Sequence, residues 1–118
     1  MEIDLSTWKN GQMEHQETPI TMACSMVDDT LTRHYENSYG SVNISVFSSY
    51  YYLYGLEIHE KYRGQGHGNH LLLQVIHDLA AFDPLPLRLQ VSGENIPAVS
   101  LYKKTGFQIT ETLYGYLY

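Results

Sequence analysis

Three glycines at alternate positions, Gly64, Gly66 and Gly68, sit inside the segment Tyr62-Arg63-Gly64-Gln65-Gly66-His67-Gly68-Asn69. Before them, Tyr50 to His59 is rich in aromatic and branched residues, as strands are. After them, Leu72, Val75, Ile76 and Leu79 recur at helical spacing, which predicts a helix from about His67 to Ala81. The segment is therefore a strand-to-helix turn. Glycine lets a backbone approach a ligand closely, and a helix start offers unpaired amides with a partial positive charge. With Arg63 beside it, such a turn is suited to a phosphate group.

The spacing excludes two common phosphate loops. A nucleoside triphosphate loop needs Lys-Ser or Lys-Thr after its last glycine, whereas Asn69-His70 follows Gly68. A dinucleotide fingerprint started at Gly64 needs glycine where Asn69 stands, and started at Gly66 it needs glycine where Leu71 stands. From the loop alone, a plain flexible turn stays open.

Around the turn, alternation predicts antiparallel strands at Ile20–Met26, Leu31–Tyr35 and Val42–Val46, leading into the strand Tyr50–His59. Asp83-Pro84 ends the first helix. Leu87–Val91 reads as a strand. Asn95 is an N-cap with Pro97 in the first turn, and Gly106 closes the second helix. Phe107–Thr110 and Leu113–Tyr118 read as two closing strands. Met1 to Pro19 reads as a polar lead-in with one helical turn near Ser6. The whole, residues 1–118, is predicted as one α+β domain: antiparallel strands, then helix, strand, helix, strand, strand.

Bulk properties narrow the function classes. A net charge of −6 argues against nucleic acid as partner. Cys24 is the one cysteine, so no internal disulfide forms. No apolar stretch is long enough for a membrane span, which predicts a cytoplasmic protein. His67 and His70 have a usable metal spacing, but no carboxylate or cysteine completes the set, so no metal is expected.

Arg63-Gly64-Gln65-Gly66-His67-Gly68 resembles the Arg/Gln-x-x-Gly-x-Gly/Ala motif of GNAT N-acetyltransferases, and Leu56 to Tyr62 resembles the approach to it. Asn95-Ile96-Pro97-Ala98-Val99-Ser100-Leu101-Tyr102-Lys103-Lys104-Thr105-Gly106-Phe107 is similar to the family's second signature. The resemblance extends from about Tyr52 to Ile109 and implies a GNAT-like mixed sheet. It also implies transfer of an acetyl group from acetyl-CoA to an amine, small molecule or protein, by direct attack on the thioester. Backbone and side chains of Arg63, Gly64, Gln65, Gly66, His67, Gly68 and Asn69 would then hold the pyrophosphate. The edge at Ile58 and His59 would pair with the pantetheine arm, with Asn95 nearby, and an amide near Ile58 would face the oxyanion. Tyr102 would be the general acid, and Glu57 or His59 the base. The upstream position where some members carry a glutamate base holds Tyr52. Alternatives are a non-catalytic CoA-binding or regulatory module, a fold that has lost its chemistry, and the C-terminal part of a larger acetyltransferase. The helices that family members carry before these strands find no counterpart ahead of Ile20. An open acceptor side is therefore expected, with a homodimer or a neighbouring N-terminal domain covering it through Tyr50, Tyr51, Tyr52, Tyr54, Tyr114, Tyr116 and Tyr118.

Overall fold

The computed structural model describes residues 1–7 and 19–118. Four strands form an antiparallel meander: β2 (Thr21–Val27), β3 (Thr30–Glu36), β4 (Gly40–Val46) and β5 (Tyr51–Ile58). The turn between β2 and β3 is Asp28-Asp29, both at positive φ (48° and 62°). Two such residues in succession give the hairpin turn whose twist matches its strands, and Asp tolerates that conformation.

From β5 the chain enters α1 (His67–Phe82) and returns as β6 (Leu87–Arg88), which pairs with β5 in parallel. β1 (Glu2–Ile3) lies antiparallel on the far side of β6, so the order among the described residues is β1-β6-β5-β4-β3-β2. The helix buries Leu71, Leu72, Val75, Ile76 and Leu79 against Tyr35, Val42, Ile44, Tyr51 and Leu53. Each such side chain contributes about 1.5–3 kcal/mol on burial. Buried Gln74 is satisfied by the Asn37 amide at 3.0 Å. At the helix end, Asp78 accepts from Arg33 (3.1 Å) and from the Tyr35 hydroxyl, tying α1 to β3.

Four expectations are corrected. Leu113–Tyr118 is not one strand but part of a hairpin, in which Thr112–Leu113 and Tyr116–Leu117 pair antiparallel around Tyr114-Gly115, both at positive φ. Leu87–Val91 is two strands: β6 stays in the large sheet, whereas β7 (Val91–Ser92) joins β9 (Tyr116–Leu117) and β8 (Thr112–Leu113) in a small one. Phe107–Thr110 is not a strand; Gln108 makes a single bridge to Glu2, while Phe107 plugs the core. Residues 1–7 are more than a polar lead-in. Met1, Ile3 and Leu5 are core residues, and the backbone of Met1 exchanges hydrogen bonds with Leu89. The turn expected near Ser6 is a 3-10 turn at Leu5–Thr7. The remainder of that segment, up to residue 18, lies outside the described residues.

The second helix, α2 (Ile96–Thr105), packs beside α1. Asn95 caps it by accepting from the Ala98 amide at 3.3 Å, and Gly106 (φ 122°) terminates it.

Candidate functional site

The site is made by two strands that part. β5 pairs with β6 through Tyr51 and Tyr52, and the chain after Arg88 then departs for the small sheet. Just beyond the last pair, β5 carries a bulge. Ser41 faces Glu57 and Asn43 faces Tyr54, so Gly55 and Leu56 together oppose Val42. A bulge bends its strand and strengthens the twist, which turns β5 away from its parallel neighbour. Gly55 is at φ +67°, and a Cβ there would meet the Asn43 amide at 2.8 Å. The bulge also resets the alternation. Tyr51 and Leu53 face the helices before it, and Leu56 and Ile58 do so after it. The edge of β5 beyond Tyr52 is left without its parallel partner.

Between this edge, the start of α1 and one face of α2 lies a groove of about 570 Å³. Of the sequence-predicted residues it brings together Glu57, Ile58, Arg63, Gly64, Gly66, His67, Gly68, Asn69 and Asn95. The wall also contains Leu56, Tyr62, Pro97, Ala98, Leu101 and Lys104. Pro97, Leu101 and Lys104 are spaced four and three apart, the signature of one helix face, and that spacing was readable from the sequence.

The three loop glycines serve different purposes. Gly64 and Gly66 have φ of +76° and +85°, and nothing lies within 4 Å of where a Cβ would be, so their backbone faces open space. Gly68 is helical, and its Cβ would meet Leu101 Cδ2 at 3.1 Å and Ile58 Cγ1 at 3.7 Å. It lets α1 start close to α2 and β5. The first amide of the α1 ladder is that of His70, bonded to the Gly66 carbonyl at 3.1 Å. The amides of His67, Gly68 and Asn69 therefore precede the ladder and have no intrahelical carbonyl to pair with. Open glycine backbone, these amides and the Arg63 and Lys104 cations fit a diphosphate.

Local contacts hold this cradle. Arg63 Nε donates to the Ile58 carbonyl at 3.0 Å, fastening the loop to the end of β5. Gln65 donates to the Lys61 carbonyl at 3.2 Å and stands outside the groove wall. The His67 ring stacks on Tyr39 at 3.6 Å, and Tyr62 meets both edge-on. Asn69 donates to Thr105 Oγ1 at 2.9 Å, which donates to the Leu101 carbonyl at 2.8 Å, locking the two helices together.

Besides Gln65, two predicted residues lie apart from the wall. His59 is exposed, and its amide donates to the Tyr39 carbonyl at 2.8 Å. Tyr102 is buried, its ring 5.7 Å from that of Phe107. Burial pushes its phenol pKa above the ordinary value. Among the described residues, no group of three or more His, Cys, Asp or Glu side chains could hold a metal ion. No helix of these residues is long and apolar enough to cross a membrane.

Residues 11–107 match the profile of the Acetyltransferase (GNAT) family. Mycothiol acetyltransferase of Corynebacterium glutamicum (strain R) is 33% identical over 60 residues, covering 51% of this chain and 20% of that protein. The crystal structure of YycN from Bacillus subtilis superimposes with a TM-score of 0.64 at 22% identity, over 74% of this chain and 60% of that one. An acetyltransferase from Elizabethkingia anophelis with acetyl-CoA bound gives 0.63 at 17% identity, over 78% of each chain. The chain thus spans about a fifth of the curated relative and less than two thirds of YycN.

Proposed function

This chain belongs to the GNAT acetyltransferase family, and from that premise we propose that it transfers an acetyl group from acetyl-CoA to an amine. The observation that carries the reading is the parted β5 edge opening into the same groove as the glycine cradle.

When bound, acetyl-CoA supplies an activated thioester. The cradle amides, with Arg63 and Lys104, hold its diphosphate. The backbone edge of β5 at Ile58 pairs with the pantetheine arm, as strands are added to sheets. An amide near Ile58 faces the carbonyl oxygen and stabilises developing charge there, a contribution of about 3 kcal/mol for a preorganised donor. Glu57, on the strand that borders the groove, takes the proton of the acceptor ammonium directly or through water, with His59 as the other candidate. Tyr102 returns a proton to the leaving sulfur; its phenol carries that proton at neutral pH. The acceptor is an amine on a small molecule or a protein; mycothiol acetyltransferase is a relative of the first kind, and the structurally similar ribosomal-protein-S18-alanine N-acetyltransferase of Escherichia coli is one of the second.

One observation favours a second reading. Tyr102 stands outside the groove wall, as suits a CoA-binding module without turnover. Calorimetric titration of acetyl-CoA into the full chain, followed by thiol release across a panel of amines, decides among the readings. Binding at a micromolar Kd with turnover is expected. Binding without turnover on any amine selects the module, and no binding to the folded chain overturns both.

A further inference from the structure

The sheet ends, among the described residues, on β2, and this strand carries no charge, proline or bulge of the kind that keeps edges solitary. All seven residues of β2 are exposed. Thr21-Met22-Ala23-Cys24-Ser25-Met26-Val27 contains no charge and no proline, and its pairing with β3 runs from Thr21 to Val27 without a bulge. Soluble proteins usually blunt an edge of this length with lysine, proline or a bulge.

The strand is also complementary to itself. Read backwards about Cys24, it places Met22 opposite Met26, Ala23 opposite Ser25 and Thr21 opposite Val27. In an antiparallel pair, directly opposed residues share a face, and a two-fold axis normal to the sheet preserves faces. Opposed positions must therefore have the same parity, which limits the register. Centred on Cys24, the pairing uses all seven residues. Centred on Ala23 it pairs only residues 21–25 of β2 with one another. Centred on Ser25 it pairs only residues 23–27, and it sets Asp28 against Met22 and Asp29 against Thr21. The Cys24-centred register instead sets Asp28 against Ile20, so no like charges are opposed.

On one face the side chains this register joins are apolar. Met22, Cys24 and Met26 share the face of their β3 partners Tyr35, Arg33 and Leu31, the face on which Arg33 and Tyr35 reach α1. Cys24 Sγ lies 3.4 Å from Met22 Sδ. Met26 is 65% exposed beside its exposed β3 partner Leu31, and on the same face the Arg33 guanidinium lies 4.1 Å over the exposed Phe82 ring at the end of α1. Two such stripes laid edge to edge put each Met22 beside the partner's Met26 and the two Cys24 residues at the axis.

We propose that a second copy of this chain covers this edge, with two β2 strands pairing antiparallel about Cys24 into one continuous sheet. The inference is independent of acetyl transfer. β5 lies three strands inward, so both grooves stay open. A single strand pair with its flanking side chains falls at the small end of specific interfaces, below about 1,200 Å² of total buried surface, which points to a Kd of about 1–100 μM.

The test is sedimentation of the full chain under reducing conditions across that concentration range. Wild type is expected to shift from monomer to dimer. Cys24→Lys, which sets two cations face to face at an exposed position, is expected to raise Kd at least tenfold while circular dichroism and acetyl-CoA titration stay as in wild type. Register is read separately by cross-linking with diamide, which takes up the two electrons and two protons released as a disulfide forms. Wild type has one cysteine, so a covalent dimer has one linkage. Ala23→Cys and Ser25→Cys, each combined with Cys24→Ser, are expected to cross-link on mixing and not alone. A monomer throughout the range, a dimer indifferent to Cys24→Lys, or equal cross-linking of the two variants alone and mixed each overturns the proposal.

Discussion

Gly66 and Gly68 are two residues apart in one motif, yet alanine should act on them through different physics. At Gly66 the backbone is left-handed, with φ +85°, and nothing lies within 4 Å of the place an added methyl would take. The penalty is then intrinsic to the backbone, about 1–2 kcal/mol for an L-residue in that region. For 118 residues the unfolding entropy near the midpoint is about 0.25 kcal/mol/K, so Gly66→Ala should lower Tm by about 4–8 °C. Asn tolerates the left-handed region, and Gly66→Asn should recover part of that loss. At Gly68 the backbone is helical, and alanine gains up to about 1 kcal/mol of helix propensity. Against this stands the contact with Leu101 Cδ2 at 3.1 Å, a few tenths of an ångström too close. Leu101 is half-buried at the groove, so its methyl has room to yield, and Gly68→Ala should stay within about 2 °C of wild type. Reversible thermal denaturation followed by circular dichroism measures all three. If Gly66→Ala melts with wild type, or Gly66→Asn melts below Gly66→Ala, the backbone argument for this loop is wrong.

Tyr102→Phe should slow acetyl transfer by roughly tenfold to several hundredfold with acetyl-CoA affinity unchanged, as removal of a general acid does; an unchanged kcat where chemistry is rate-limiting would return Tyr102 to a purely structural role. Asn69→Ala breaks the bond that joins the helices and should lower stability by about 1 kcal/mol. A double-mutant cycle with Thr105→Val should show coupling of at least about 0.5 kcal/mol, and strict additivity would mean the bond is not formed in solution. Tyr51 is fully buried, its hydroxyl donates to the Asp83 carbonyl at 2.7 Å, and burial first, then Asp83, pushes its pKa up to about 12. The folded value lies above the unfolded one, so this stabilisation is complete below about pH 10 and fades as pH rises toward 12. Urea titrations should show wild type losing stability over that window more steeply than Tyr51→Phe, and parallel curves would contradict the assignment.

Much of this architecture is legible one residue at a time because it rests on local physics. Leu72, Val75, Ile76 and Leu79 announce α1 by spacing, and Asn95 and Gly106 announce the ends of α2 by what a cap and a left-handed terminus require. The alternation of Ile20 to Val46 announces the meander for the same reason. The glycine turn is legible because left-handed backbone at a helix start favours glycine, and the Pro97, Leu101, Lys104 spacing would have added the opposite wall.

Other features depend on partners far away in the chain, and no local pattern encodes them. Leu87 to Val91 alternates like one strand, but Leu87 pairs with Tyr51 and Val91 with Leu117, so it serves two sheets. Met1 to Ile3 is too short to show a period, and it becomes a strand only because β6 offers a free edge. Gly55 hints at irregularity, but its bulge exists because Val42 is opposed by two residues, and that bulge decides which of Leu56, Glu57 and Ile58 face the groove. Tyr102 has the sequence position of a catalytic acid, yet its placement against Phe107 follows from how α2 packs on the core. The sequence alone determined the meander, the two helices and their ends, because backbone conformation and side-chain period are short-range. Only the tertiary structure decided where β5 and β6 part, and therefore that a groove exists at all, because strand pairing is a contest among segments that are neighbours in space and not in sequence.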